Sequence, residues 1–141
     1  MKDFRDIAIG ELILQQPPFR FVDRLESCTE EVGLVSFTPG EKNLLMEDGC
    51  LSAAGIMEHM AQANAARIGY VSKYIYKMDV RIGYIGQVKK YTIARLPGKG
   101  ERLTTTVHLI QDFFNVSMTD VKVMAGDELI ASASLKSAQA Q

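Results

Sequence analysis

The sequence predicts an α+β protein in which an antiparallel sheet wraps around one long central helix. Residues 52–70 hold one sustained run of helical periodicity, dense in alanine and glycine. After Asp79 the chain reads as four successive strands, with glycine turns after the first and the third, and two shorter strands precede the helix. Two strands, one helix and four strands suit a sheet that covers a single helix.

Each element has its own signal. Residues 6–14 predict a short helix, stopped where Pro17 and Pro18 force the chain to extend. Residues 19–27 and 32–37 are β-branched or aromatic runs separated by the polar Cys28-Thr29-Glu30-Glu31, a first hairpin that Thr38-Pro39-Gly40 ends. Residues 41–49 read as a loop. Ser52 is the expected N-cap of a helix that runs through Ile68 or Tyr70, with Tyr76 as its furthest limit. Ala53, Ala54, Gly55, Ala61, Ala63, Ala65, Ala66 and Gly69 leave so little bulk that other backbone segments are expected to approach this helix closely and enclose it. The later strands are expected over residues 80–94, 103–113, 116–124 and 129–135, with turns at Leu96-Pro97-Gly98-Lys99-Gly100 and Ala125-Gly126-Asp127. The terminal KSAQAQ, residues 136–141, reads as a frayed tail. A sheet around one buried helix is the hot dog arrangement, and 141 residues at 47% hydrophobic predict one such domain over residues 1–141.

Composition removes several classes of function. A net charge of -1, with lysines and arginines scattered, leaves no basic face for nucleic acid. The N-terminal MKDFRDIAIGELIL has charges on both sides of a short apolar stretch, unlike a secretion signal or a membrane span, so a soluble, cytoplasmic protein is expected. Cys28 and Cys50 lack partners at metal or disulfide-framework spacing and read as reduced packing residues. Neither a metal nor a cofactor is expected.

Glu58 carries the functional signal. It is the only acidic residue between Asp48 and Asp79, and it lies in GCLSAAGIMEHMAQANA. Leu51, Ala54, Met57, Glu58, Ala61, Gln62 and Ala65 recur at the three-and-four spacing of one helical face, which sets Glu58 among apolar neighbours. Desolvation raises a carboxylate's pKa toward neutrality, which suits a group that donates or accepts a proton. Gln62 lies one turn further on, where it can orient that carboxylate; the bland alternative is a solvated helix amide. His59 is turned roughly 100° from Glu58 and reads as a packing or surface histidine, as does His108 in mid-strand. Met46, Met57, Met60 and Met78 suit an acyl channel or ordinary core packing, and Tyr70, Tyr74, Tyr76 and Tyr84 suit a pocket mouth or a core cap.

The chain resembles the beta-hydroxyacyl-(acyl carrier protein) dehydratases of fatty acid biosynthesis and their relatives in aryl polyene pathways. Pro18-Phe19-Arg20-Phe21-Val22-Asp23-Arg24-Leu25 is similar to the family's P-F-L-L-V-D-R stretch. The family's P-G-V-L-x-x-E-A-x-A-Q falls on residues 52–62, where Glu58, Ala61 and Gln62 match. Leu96-Pro97-Gly98 resembles its P-G-D turn, with Lys99 in place of the aspartate. The departures are equally specific. The catalytic histidine of the family's G-H-F-P-G loop would fall at Leu44, and no histidine occurs in that loop; Glu47 and Asp48 are its nearest titratable groups. Gln15 stands where the family's L-P-H-R has histidine. The loop is closer in character to the aryl polyene homologues.

This resemblance implies a 3-hydroxyacyl thioester dehydratase, a hydro-lyase, with Glu58 as catalytic acid and the N–H groups near Ala53 and Ala54 polarising the thioester carbonyl. Gln62, Leu44 and Asp48 complete the implied substrate-binding set. The substrate would be a thioester of acyl carrier protein or coenzyme A. The resemblance also implies at least a homodimer, since the family's pocket forms between subunits, and the absent histidine opens the option of a heteromer with a histidine-bearing homologue. An acyl thioesterase using Glu58, Asp48 and Gln62 is the second enzyme reading. A catalytically silent acyl-binding or partner subunit is the third.

Overall fold

The computed structural model describes residues 3–80 and 83–139. Phe4–Asp6 and Ile9–Glu11 are 3₁₀ turns, the first capped by Asp3, whose carboxylate accepts from the Arg5 N–H. The helix expected over residues 6–14 is therefore replaced by two short turns. Packing explains this: Ile7, Ile9, Leu12 and Ile13 are all buried, whereas a continuous α-helix would put Ile7 on the side opposite Leu12.

The first hairpin joins β1 (Arg24–Cys28) to β2 (Val32–Phe37). Thr29 Oγ1 accepts from the N–H groups of Glu31 and Val32 and shapes its turn. β1 starts later than residue 19 because the preceding segment bonds to side chains of the helix. A small hairpin starts in the expected loop and runs past its end, β3 (Met46–Glu47) pairing with β4 (Cys50–Leu51), turned by Asp48 and Gly49 at φ 52° and 78°. Consecutive positive φ values are what a two-residue hairpin turn requires, and Asp-Gly is suited to them.

Helix α1 (Ala53–Tyr70) follows, continued by a π-helical turn at Val71–Ile75. The four later strands are β5 (Gly83–Ile93), β6 (Leu103–Phe113), β7 (Val116–Ala125) and β8 (Glu128–Gln139). Val80 precedes the first of these, and Arg81 and Ile82 lie outside the described residues. The expected frayed tail is corrected over residues 136–139, which pair with β5 and β7; Ala140 and Gln141 lie outside the described residues.

Six antiparallel strands form one sheet in the order β1-β2-β6-β7-β8-β5, the hot dog arrangement around α1. Strand alternation turns Val35, Phe37, Leu103, Val107, Val121, Val123 and Leu135 onto Ile56, Met60, Ala63 and Ala66 of the helix. Each fully buried aliphatic side chain contributes about 1.5–3 kcal/mol. The small helix residues allow the approach expected of them. A Cβ at Gly55 would lie 2.4 Å from Leu51 Cδ1, and one at Gly69 would lie 2.4 Å from the backbone oxygen of Leu12. The sheet leaves one stripe of α1 open, with Ala53 and Ala54 exposed and Met57, Glu58, Ala61 and Ala65 half-buried. β5 is a sheet edge whose residues are mostly exposed. Among the described residues, no helix is long and apolar enough to cross a membrane.

Candidate active site

The start of α1 is held from several directions. Ser52 Oγ accepts from the Gly55 N–H at 3.1 Å, the expected N-cap. The Ser52 N–H donates to the Leu45 carbonyl, and Leu45 is held at φ 63°, a costly conformation for a leucine. Backbone bonds from Leu51 to Pro97 and from Lys99 to Gly49 clamp the Pro-Gly loop against the helix entry. Tyr91, on edge strand β5, donates its hydroxyl to the Ala53 carbonyl at 2.5 Å. The N–H groups of Ala53 and Ala54 thus stand at a rigid, exposed helix N-terminus, where partial positive charge accumulates.

One turn after Ala54, Glu58 is oriented by Gln62. Gln62 Nε2 donates to Glu58 Oε1 at 2.8 Å and to the Phe19 carbonyl at 2.9 Å, while its Oε1 accepts from the Phe21 N–H at 2.6 Å. The two backbone partners fix which end of the amide is oxygen. Gln62 is only 1% exposed, so the solvated alternative is discarded. Its amide has both N–H groups donated, and Glu58 keeps Oε2 without a hydrogen bond among the described residues. Glu58 is half-buried in this chain, less enclosed than its apolar neighbours in the sequence suggest. Gln62→Met would orphan the buried Phe21 N–H, and is expected to cost about 2–3 kcal/mol by chemical denaturation as well as lowering activity.

His59 holds the same segment from the next helix position. Its ring is fully buried, stacks on Phe37 at 5.3 Å, and lies 2.6 Å from the Phe21 carbonyl and 2.7 Å from Thr105 Oγ1. A carbonyl only accepts, so Nδ1 carries the proton and Nε2 accepts from Thr105. Burial pushes its pKa down to about 4, against the weaker opposing pull of the Phe21 bond. The unfolded chain therefore takes up a proton near pH 6.5 that the folded chain refuses until about pH 4. Stability is complete above pH 6.5 and falls as pH drops through that window, by about 3 kcal/mol in total. Urea denaturation at pH 7.5 and pH 4.5 checks this, since His59→Gln should lose much less than the wild type on acidification.

The remaining sequence candidates make no hydrogen bond to the carboxylate among the described residues. Leu44 is an exposed loop residue and Asp48 an exposed turn residue; no hydrogen bond joins Asp48 to Glu58 or Gln62. Met60 is core and Tyr70 is buried against Phe4 and Tyr74. Asn43 was missed by sequence reading: it accepts from the Gly40 N–H and donates to the Arg20 carbonyl, tying the loop to the segment that Gln62 holds. Tyr91 was missed as well, because its contact with Ala53 depends on strand placement. A cavity of about 460 Å³ adjoins this segment, lined in part by Pro18, Arg20, Asp23, Lys42 and Asn43. Among the described residues no cluster of three or more His, Cys, Asp or Glu is placed to hold a metal ion.

A family model described as ApeP-like, ApeP dehydratase, matches residues 7–141. The chain belongs to the ApeP-like dehydratase family. Among solved structures, the dehydratase heterocomplex ApeI:P from Xenorhabdus doucetiae superposes on this ApeP-like chain with a TM-score of 0.86 at 13% identity, over 96% of this chain and 92% of that one. A hypothetical thioesterase with coenzyme A from Streptococcus pneumoniae TIGR4 matches at 0.67 and 10% identity, over 83% and 84% of the two chains. The protein smu.793 from Streptococcus mutans UA159, bound to acetyl CoA, matches at 0.70 and 14% identity, over 91% and 95%. At these identities the structures confirm the hot dog fold. No curated protein matches the chain.

Proposed function

We propose that this ApeP-like protein is a hydro-lyase that removes water from 3-hydroxyacyl thioesters, with Glu58 as its proton-transfer group. The observation that carries the reading is the Glu58 carboxylate, held by Gln62 at one oxygen, open at the other, and one turn from the helix N-terminus. The thioester carbonyl sits at the Ala53 and Ala54 N–H groups, which stabilise enolate charge as the α C–H bond breaks. Glu58 takes the α-proton, the β C–O bond breaks with its electrons going to oxygen, and a proton returned to that oxygen releases water and leaves the α,β-double bond. The Arg20 and Lys42 side chains at the adjoining cavity suit the phosphate of a carrier arm, whether on acyl carrier protein or coenzyme A.

The open stripe of α1 and the exposed edge β5 are both suited to a second subunit. Edge pairing would bring another chain beside Glu58, as a homodimer or as a heteromer with a histidine-bearing homologue that supplies the second proton-transfer group. Light scattering is expected to give at least a dimer at micromolar concentration, and a monomer would undercut this site. The free thiols of Cys28 and Cys50 suit a cytoplasmic setting.

Thioester hydrolysis is the second reading, favoured by the likeness to the coenzyme A-bound thioesterase fold. Mass spectrometry of a 3-hydroxyacyl-acyl carrier protein incubated with the protein, alone and mixed with a histidine-bearing homologue, separates the readings. Loss of water supports the dehydratase and free acid the thioesterase; water loss only in the mixture assigns a partner subunit.

A further inference from the structure

Arg67 presents a different problem from the active site. It lies nine residues beyond Glu58, about 13 Å further along α1, and only 4% of its surface is exposed. Its stem crosses β2 at Gly33, where a Cβ would lie 3.0 Å from Arg67 Cγ, so the strand makes room for it. At the guanidinium, Nη1 donates to the Glu30 carbonyl at 3.1 Å, and Nε is buried without a hydrogen-bond partner. No carboxylate forms an ion pair with it among the described residues. Burial lowers its pKa from the ordinary arginine value. A buried, underbonded cation is costly: Asp112 pulls on it electrostatically, but among the described residues no carboxylate closes to an ion pair and its hydrogen-bonding capacity is left partly unfilled.

Arg67 is among the residues that line a cavity of about 520 Å³ at the far end of α1. Ile68, Val71 and Leu109 give this cavity apolar wall, while Glu30, Glu31 and Asp112 also line it. Glu30 accepts from Tyr76 and Asp112 from Ser117, so two of these carboxylates are already oriented. The wall includes Val71 and Ser72 of the π-helical turn, a local distortion that recurs at functional sites. Three carboxylates would repel a multiply charged anion, and one buried guanidinium would repel a simple cation. A ligand carrying both charges satisfies both.

We propose that this cavity is a binding site for a small zwitterion, an α-amino acid with an apolar side chain, whose carboxylate meets Arg67 and whose ammonium meets the carboxylates of Glu30, Glu31 and Asp112. The site is separate from Glu58 and does not depend on the dehydratase reading.

The test titrates the full-length protein with L-leucine by calorimetry and NMR shift mapping, beside two compounds that each lack one charge, 4-methylpentanoate and 3-methylbutylamine. L-leucine is expected to bind, both analogues at least tenfold more weakly, and Arg67→Met to lose binding at least tenfold while keeping its helical and strand signals. Glu31→Gln, at an exposed position, is expected to weaken L-leucine without affecting 4-methylpentanoate, and it keeps the test open if Arg67→Met misfolds. Equal binding of either analogue, no shift with L-leucine or L-phenylalanine at 10 mM, or unchanged affinity in Arg67→Met would each overturn the proposal.

Discussion

Glu58→Gln is expected to lower acyl-thioester turnover about 10²–10⁴-fold, the span over which a positioned proton-transfer group acts, with a melting temperature equal to or above that of the wild type. The chemical loss follows from the amide, which can neither take an α-proton nor return one at neutral pH. The stability result follows from geometry. Gln62 Nε2, now donating to Glu58 Oε1 at 2.8 Å, finds the same acceptor in a glutamine carbonyl. The Phe19 and Phe21 bonds to Gln62 are untouched, and glutamine matches glutamate in helix propensity. Removing a charge from a half-buried position then costs nothing and can stabilise. The paired measurement is mass-spectrometric turnover with calorimetric unfolding on the same sample. A variant that unfolds early yet turns over substrate normally would make Glu58 a structural residue.

Gly69→Ala is expected to destabilise the protein by about 3 kcal/mol, near the upper end of ordinary overpacking. The added Cβ would lie 2.4 Å from the Leu12 oxygen and 3.2 Å from Leu12 C and Cα, all backbone atoms that cannot swing aside. Relief requires the N-terminal segment to lift, and Ile9, Leu12 and Ile13 are buried there. Alanine's higher helix propensity returns up to about 1 kcal/mol at an interior position, so the clash must exceed the net loss. Urea unfolding should show the midpoint fall with little change in slope. An unchanged or raised midpoint would mean that this segment is not seated on α1 as described.

Much of the fold was legible because its signals are local. Ser52 caps α1, the strands Val32–Phe37 and Leu103–Phe113 have the bounds that their β-branched and aromatic runs predict, and the Gly126 turn joins β7 to β8. The failures came where long-range packing overrides local pattern. The N-terminal helix gave way to turns because four apolar residues needed the same core, and the last residues joined the sheet because β5 and β7 lie on either side of them.

The site divides in the same way. The sequence by itself determined Glu58 and Gln62 as an i, i+4 pair, since helical periodicity is written in spacing. It also carried the absence of a loop histidine and the family resemblance. Only the tertiary structure decided what Gln62 holds, because its bonds reach 41 and 43 residues back to Phe21 and Phe19. It likewise assigned His59 a neutral, buried role between Phe21 and Thr105, and left Arg67 buried beside a cavity. Hydrogen bonds and burial depend on distances between residues remote in the chain, and those distances exist only after the sheet has closed around the helix.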